Sequence, residues 1–225
     1  MIEIKKGNIF TTQCQTIVNT INCVGVMGAG IAYEYKLRYP KMFTKYKKYC
    51  SDGAISIGKL WIYDLDAEDI NTPYKKILNF PTKNHWKYPT KNEYLEKGLQ
   101  KFLDTYIDKN IESIAFPLLG ADKGGLDEKI SFEIMECYLS KCQIPVEIWY
   151  FDSKAKDDLY DRCKEEFIEK INSNLIAKSG LRADAISKIK NALLLEDVNS
   201  LSSLQRIGGI SEKSMEKVFQ LLKYV

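Results

Sequence analysis

The sequence predicts an α/β protein: a sheet covered by helices on both faces, followed by a small helical segment. Three observations predict it. Short apolar strand runs alternate with longer stretches of helical spacing. Each of three motif-bearing stretches directly follows a strand run. Past Asn172-Ser173-Asn174 the strand signals stop and only short amphipathic helices remain.

The elements follow in chain order. Met1-Ile2-Glu3-Ile4-Lys5 opens as a strand, not as a signal peptide, giving Ile2–Lys6. Thr16–Asn19 is a buried strand that leads into a glycine-rich stretch. Helical spacing then covers Gly30–Tyr39 and Met42–Cys50. Strands are expected at Lys59–Tyr63 and Ile77–Phe80, then a helix over Lys91–Lys109. Ile114–Pro117 and Val146–Phe151 are strands that bracket a helix over Lys129–Cys142. A last helix over Ala155–Ile171 closes a first domain at residues 1–172, and residues 173–225 form a second, smaller unit. No internal repeat or low-complexity tract is evident.

Bulk properties narrow the function. A chain of 225 residues, 45% hydrophobic, holds one large or two small domains with a real core. No apolar run nears the length of a membrane span, so no membrane partner is expected. Six scattered cysteines without a C-x-x-C pair, and a single histidine, argue against zinc; no metal or cofactor is expected. Free thiols suit a reducing cytoplasm. A monomer is expected. The net charge of +3 is too small to imply nucleic acid by itself. Lys36, Arg38, Lys41, Lys45, Lys47 and Lys48 cluster, as solvated helix faces do. Lys83, Lys87 and Lys91 instead lie among His85, Trp86 and Tyr88, a mixture that suits a polyanion with stackable bases.

The most telling stretch runs from Asn19 through Asn22 and Gly25-Val26-Met27-Gly28-Ala29-Gly30 to Ala32. Strand, glycine loop and helix start together make a diphosphate cradle. It is not the dinucleotide fingerprint: with Gly28 and Gly30 as the first pair, Tyr33 stands where a third small residue belongs. It is not a P-loop either, because no Gly-Lys-Ser/Thr follows.

This stretch resembles the ADP-ribose-binding loop of macrodomains, most closely the DarG-type DNA ADP-ribosyl glycohydrolase antitoxins, with terminal ADP-ribose protein glycohydrolases as relatives. Asn79-Phe80-Pro81-Thr82-Lys83-Asn84-His85-Trp86 resembles that branch's lysine-bearing segment. Pro117-Leu118-Leu119-Gly120-Ala121-Asp122-Lys123-Gly124-Gly125-Leu126-Asp127 resembles its second phosphate and ribose loop. The resemblance covers about residues 1 to 153. It implies a three-layer α/β/α fold with a central mixed sheet. It also implies an enzyme that removes ADP-ribose from nucleobases in DNA and so counters a DNA ADP-ribosyltransferase toxin.

Residue by residue, the resemblance implies a diphosphate held by backbone N–H groups around Val26, Met27 and Gly28, with Asn19 and Gly30 beside them. Asn22 suits the distal ribose, and suits equally a loop-capping role. Asn8 and Ile9 stand where many macrodomains carry Gly-Asp-Ile, whose aspartate takes a hydrogen bond from adenine; the amide at Asn8 can accept without charge. Thr82, Leu118, Gly120, Ala121, Gly124, Gly125 and Leu126 complete the expected ADP-ribose contacts. Lys83 is the expected nucleophile, since an amine with a lowered pKa can attack C1″ of the distal ribose. Asp127 is the expected acid, or an N-cap for the helix that follows. Asp122 and Lys123 depart from the branch's pattern, and Asp122 must point away from a diphosphate. His85, Trp86 and Lys87 are expected to meet the base or DNA.

Three other readings compete: hydrolysis of ADP-ribosylated protein side chains, a non-catalytic ADP-ribose reader, and a bare partner for the toxin. Leu201–Lys213, with Ile207-Gly208-Gly209-Ile210 at its centre, loosely resembles a single helix-hairpin-helix; a self-packed helical cap explains it as well.

Overall fold

The computed structural model describes residues 1–66, 72–170 and 174–223. Six strands make one mixed sheet: β1 (Ile2–Gly7), β2 (Thr16–Asn22), β3 (Trp61–Asp64), β4 (Lys76–Lys83), β5 (Ile114–Pro117) and β6 (Val146–Phe151). Their spatial order is β1-β6-β5-β2-β4-β3. All neighbours are parallel except β3, which runs antiparallel to β4 at the edge. The central strands are apolar on both faces, as a sheet covered on both sides demands.

Alternation along the strands splits the core in two. Ile17, Ile21, Ile77, Ala115 and Trp149 face one side, where α1 (Gly30–Arg38) and α2 (Pro40–Ser51) bring Tyr35, Met42 and Tyr46, with Tyr39 at the junction between them. Val18, Leu78, Phe80, Phe116 and Ile148 face the other. There α3 (Asn92–Thr105) and α4 (Glu128–Leu139) supply Leu95, Leu99, Phe102, Met135 and Leu139. The expected three-layer α/β/α arrangement is what forms. At Gly98 a Cβ would lie 2.2 Å from Phe80 Cζ, so α3 rests directly on β4, the strand that delivers Lys83.

Strands run further than expected where they carry site residues. β2 reaches Asn22 and β4 reaches Lys83, past the expected ends at Asn19 and Phe80. Asn22, Pro81 and Thr82 look like loop residues in sequence. A register shift between Ile21 and Asn22 lets the ladder absorb Pro81, which has no N–H to give. α3 and α4 end earlier than expected, at Thr105 and Leu139.

The chain divides into two compact units, Met1–Phe151 and Asp152–Val225. The expected boundary at 172/173 lies outside the described residues, as does the end of the helix expected over Ala155–Ile171. That helix starts later, as α5 (Tyr160–Lys164), and continues through one π turn at Glu165–Glu169. The segment before it bonds within the second unit: Leu201 N donates to Asp157 Oδ2 (2.5 Å), and Asn199 Nδ2 to the Lys154 carbonyl (2.8 Å). α6 (Asn174–Lys178), α7 (Ala183–Leu193), α8 (Leu201–Gln205) and α9 (Glu212–Lys223) complete that unit. Among the described residues, no helix is long and apolar enough to cross a membrane.

Candidate functional site

The site is built at the carboxyl ends of β2, β4 and β5, where open α/β sheets collect ligands. At the end of β2 the Asn22 side chain holds the glycine loop. Its Oδ1 accepts from Val24 N (3.0 Å), Val26 N (3.3 Å) and the Tyr46 hydroxyl (3.0 Å), and its Nδ2 donates to the Val26 carbonyl. Tyr46 also donates to the Asn22 carbonyl (2.8 Å). Burial pushes the Tyr46 phenol far above its ordinary value, so it stays a donor. Of the two roles open to Asn22, loop holding is the one its hydrogen bonds serve.

This geometry revises the expected diphosphate contacts. The Val26 N–H turns inward to Asn22, although its side chain is exposed. Among the described residues no acceptor faces the N–H groups of Met27 and Gly28, while the Met27 side chain is buried. The left-handed positions are Gly25 (φ +78) and Gly30 (φ +58), not Gly28. A Cβ at Gly28 would meet only Val26 Cγ1, at 3.8 Å, so this position is open toward solvent. Asn19 has no exposed surface and donates to Asn79 Oδ1 (2.9 Å), which places it in the floor beneath the loop and corrects the expectation of a ligand contact.

The third motif folds as a compact turn after β5, with a 3-10 turn at Asp122–Gly124. Gly120 (φ +70) and Gly125 (φ +75) are left-handed, and Asp122 (φ 48) shares that conformation at a cost in strain. Asp122 points outward: its side chain is exposed and lies 3.8 Å from the Lys123 ammonium. Gly120 and Gly124 are buried against Thr90. A Cβ at Gly120 would stand 2.7 Å from Thr90 Cγ2, and one at Gly124 would stand 2.9 Å from Thr90 Oγ1. Thr90 N donates to the Gly124 carbonyl (2.9 Å), yet Thr90 Oγ1 is buried without a partner. Leu118, Ala121 and Leu126 are half-buried and Gly125 is exposed.

The three motifs meet at Lys83. Its ammonium donates to the Lys123 carbonyl, tying the end of β4 to the third motif. The Lys123 side chain in turn lies 3.5 Å from where a Gly30 Cβ would be, at the start of α1. Half-burial lowers the Lys83 pKa from its usual value. Thr82, beside it, is buried. Asp127 is the N-cap of α4, with Oδ1 accepting from Lys129 N (2.9 Å) and Ile130 N (3.1 Å). Among the described residues no ion pair joins Asp127 to Lys83.

Beyond Lys83 the chain turns into an exposed aromatic rim. His85 stacks on Trp86 (centroids 5.6 Å apart, 27° between planes) and tilts against Tyr88 (5.5 Å). The Lys87 ammonium lies 5.3 Å from the Trp86 ring, and Lys87 N donates to His85 Nδ1. Trp86 and Tyr88 are 49% and 66% exposed, enough to stack on a base. Asn8 and Ile9 are buried after β1, and Asn8 Oδ1 caps the turn by accepting from Phe10 N (3.1 Å). That corner is held from β6. Burial would raise the Glu147 carboxyl, but hydrogen bonds from Lys5, Thr12 and Trp149 hold it below its usual range. No cluster of metal-binding side chains is present among the described residues. All six cysteines are free thiols.

Sequence reasoning missed Thr90 and Tyr46. Thr90 sits between motifs, and Tyr46 is one aromatic of many in α2. Only the close approach of Gly120 and Gly124, and of the Asn22 carbonyl, exposes their roles.

Comparison with known proteins agrees with this geometry. The Macro domain family model matches residues 18–135. The chain belongs to the macrodomain family. A DNA ADP-ribosyl glycohydrolase of Mycobacterium tuberculosis is 45% identical over 127 residues, covering 56% of this chain and 35% of the relative. One of Thermus aquaticus is 35% identical over 153 residues, covering 68% and 41%. This chain therefore spans less than half the length of those curated relatives. Among solved structures, the macrodomain of Mycobacterium tuberculosis DarG matches with a TM-score of 0.62 at 38% identity, covering 66% of this chain and 97% of that one. Thermosipho africanus DarTG in complex with ADP-ribose matches with a TM-score of 0.60 at 32% identity, covering 65% and 40%.

Proposed function

We propose that the protein is an ADP-ribosyl glycohydrolase that removes ADP-ribose from nucleobases in DNA. The observation that carries this is the meeting of three motifs at one lysine: a half-buried amine, a preformed glycine loop and a second glycine turn, all at one end of the sheet. Relatives named DNA ADP-ribosyl glycohydrolase support the same substrate.

The chemistry follows from the residues. ADP-ribose lies along the glycine loop, its diphosphate on the N–H groups of Met27 and Gly28 and on the amides that open α1. Asn8 and Ile9 form the adenine end, and the distal ribose faces the third motif. Lys83 leaves the Lys123 carbonyl and, as the neutral amine, attacks C1″. The bond from C1″ to the base nitrogen breaks, its electron pair going to the base, which takes a proton. Ring opening gives an iminium, and water releases ADP-ribose and restores the amine. Asp127 moves protons through the carboxylate oxygen that does not cap α4. His85, Trp86 and Lys87 stack and pair with the base and its neighbours.

A DNA ADP-ribosyltransferase toxin would be the partner whose product this enzyme removes. Its counterpart exists as one polypeptide in Thermosipho africanus, in a relative named as a transferase–glycohydrolase fusion. Such an enzyme would act in the cytoplasm.

Two measurements test the reading. ADP-ribosylated DNA oligomer and ADP-ribosylated protein are incubated side by side with the enzyme; release from DNA alone supports it, and release from protein alone overturns it. Gly28→Val should leave thermal stability unchanged while abolishing ADP-ribose binding by calorimetry, because the added side chain has room in the loop but blocks the ligand. Unchanged affinity would move the diphosphate elsewhere.

A further inference from the structure

The C-terminal unit contains an internal duplication. Residues 174–193 and 203–222 align without a gap. Leu175, Gly180, Lys188 and Leu193 fall on Leu204, Gly209, Lys217 and Leu222. Leu181, Ile186 and Ile189 fall on Ile210, Met215 and Val218, so the apolar pattern repeats as well. Four identities are too few to notice in sequence. The backbone makes the repeat plain: each copy is a short helix, a turn at a left-handed glycine, and a longer helix. The copies are α6–Gly180–α7 and α8–Gly209–α9, with φ of +66 at Gly180 and +86 at Gly209.

The copies touch reciprocally. The Lys217 ammonium, on α9, donates to the carbonyl of Gly180. The equivalent Lys188, on α7, brings its ammonium within 3.4 Å of where a Gly209 Cβ would stand. Each copy thus lends its lysine to the other copy's turn. Contacts of residue i to j and of j to i are the mark of a two-fold relation. Both glycines are exposed, so each turn presents bare backbone and an ammonium to solvent.

Charge is segregated onto this feature. The two copies carry seven lysines and arginines against three carboxylates. The rest of residues 152–225 carries six against nine. A near-neutral unit therefore carries its excess of cations within the two copies. Asp184 lies 4.0 Å from Lys188, and such an exposed pair is easily given up.

We propose that these paired turns bind duplex DNA, each taking the phosphate backbone of one strand. A two-fold cationic surface matches the two-fold relation between antiparallel strands, and glycine removes the side chain that would hold a phosphate away. The choice of DNA over another polyanion rests on the substrate reading above; the duplication and its lysines do not.

The test uses the full chain and an unmodified, fluorescently labelled duplex oligonucleotide, followed by anisotropy over a range of salt. The double variant Lys188→Gln with Lys217→Gln should bind at least about tenfold more weakly, and its log–log salt slope should flatten by about two, roughly one per lost phosphate contact. Lys188→Arg with Lys217→Arg should restore both, which separates charge from folding. Unchanged affinity and slope in the glutamine variant overturn the proposal, as does equal loss in the arginine variant. Binding of the wild type to single strand in preference to duplex overturns it too. Release of ADP-ribose from a modified mononucleoside is measured in parallel and should be unaffected. If that release is absent while the lysine-dependent duplex binding holds, the catalytic reading fails and this one stands.

Discussion

The two glycine turns of the first unit are held in opposite ways. The loop after β2 is fastened by polar side chains: Asn22 and Tyr46 fill one another's hydrogen bonds. The turn after β5 is fastened by contact: Gly120 and Gly124 close over Thr90, whose hydroxyl finds no partner. The first is fully engaged in its own hydrogen bonds. The second holds an unsatisfied hydroxyl, a strained Asp122 and the carbonyl that occupies Lys83, so it is the part with something to gain by moving. On the proposed reading, the first turn would take the diphosphate and the second would position the distal ribose.

The largest expected effect falls where the two regions meet. Lys83→Ala should lose turnover by several orders of magnitude while keeping ADP-ribose affinity, because on the proposed reading the cradle and not the amine supplies most phosphate contacts. Lys83→Arg should fail equally, since a guanidinium stays protonated. In the wild type, borohydride trapping should add mass at Lys83. Burial favours the neutral amine, so trapping should rise with pH and level off below the ordinary lysine value of 10.5. Turnover in Lys83→Ala would remove the covalent mechanism.

Next comes the cradle. Asn22→Ala strips Val24 N and Val26 N of their shared acceptor and so loosens the loop's backbone. ADP-ribose affinity should fall by at least about tenfold in calorimetry. An unaltered Kd would show that the loop holds itself without its asparagine.

Substitution in the adjustable turn should cost less in binding and more in folding. Gly120→Val puts a side chain at φ +70 and 2.7 Å from Thr90 Cγ2, an expected loss of about 1–3 kcal/mol in denaturant unfolding. The smallest effect is the sharpest test of the contrast. Thr90→Val removes a hydroxyl that has no partner, so stability should hold or improve by up to about 1 kcal/mol. A clear loss of stability would mean that this turn, too, is fixed by hydrogen bonds. A loss of ADP-ribose affinity at full stability would show the hydroxyl meeting the ligand after the turn moves.

Legibility differed between the two turns. The first motif was readable because glycines between a strand and a helix leave few alternatives, yet the inward turn of Val26 N–H was not, since only the fold brings Asn22 back onto it. Gly28 looked like the critical glycine by spacing, whereas backbone conformation singles out Gly25 and Gly30. Asp127 was open between acid and cap, and its hydrogen bonds show the cap without removing the acid. The helix starting at Tyr160 and the two-copy design of the second unit were hidden, because helical spacing says where a helix lies and not which core it joins.

By itself the sequence determined the alternation of strands and helices and the order of three motifs. These depend on local periodicity and on residue types whose chemistry does not change with context. Tertiary structure alone decided that Lys83 meets the third motif, that Thr90 is buried under two glycines, and that Lys188 and Lys217 exchange turns. Those are contacts between residues far apart in the chain, and no local pattern encodes them; they exist only once the layers have packed.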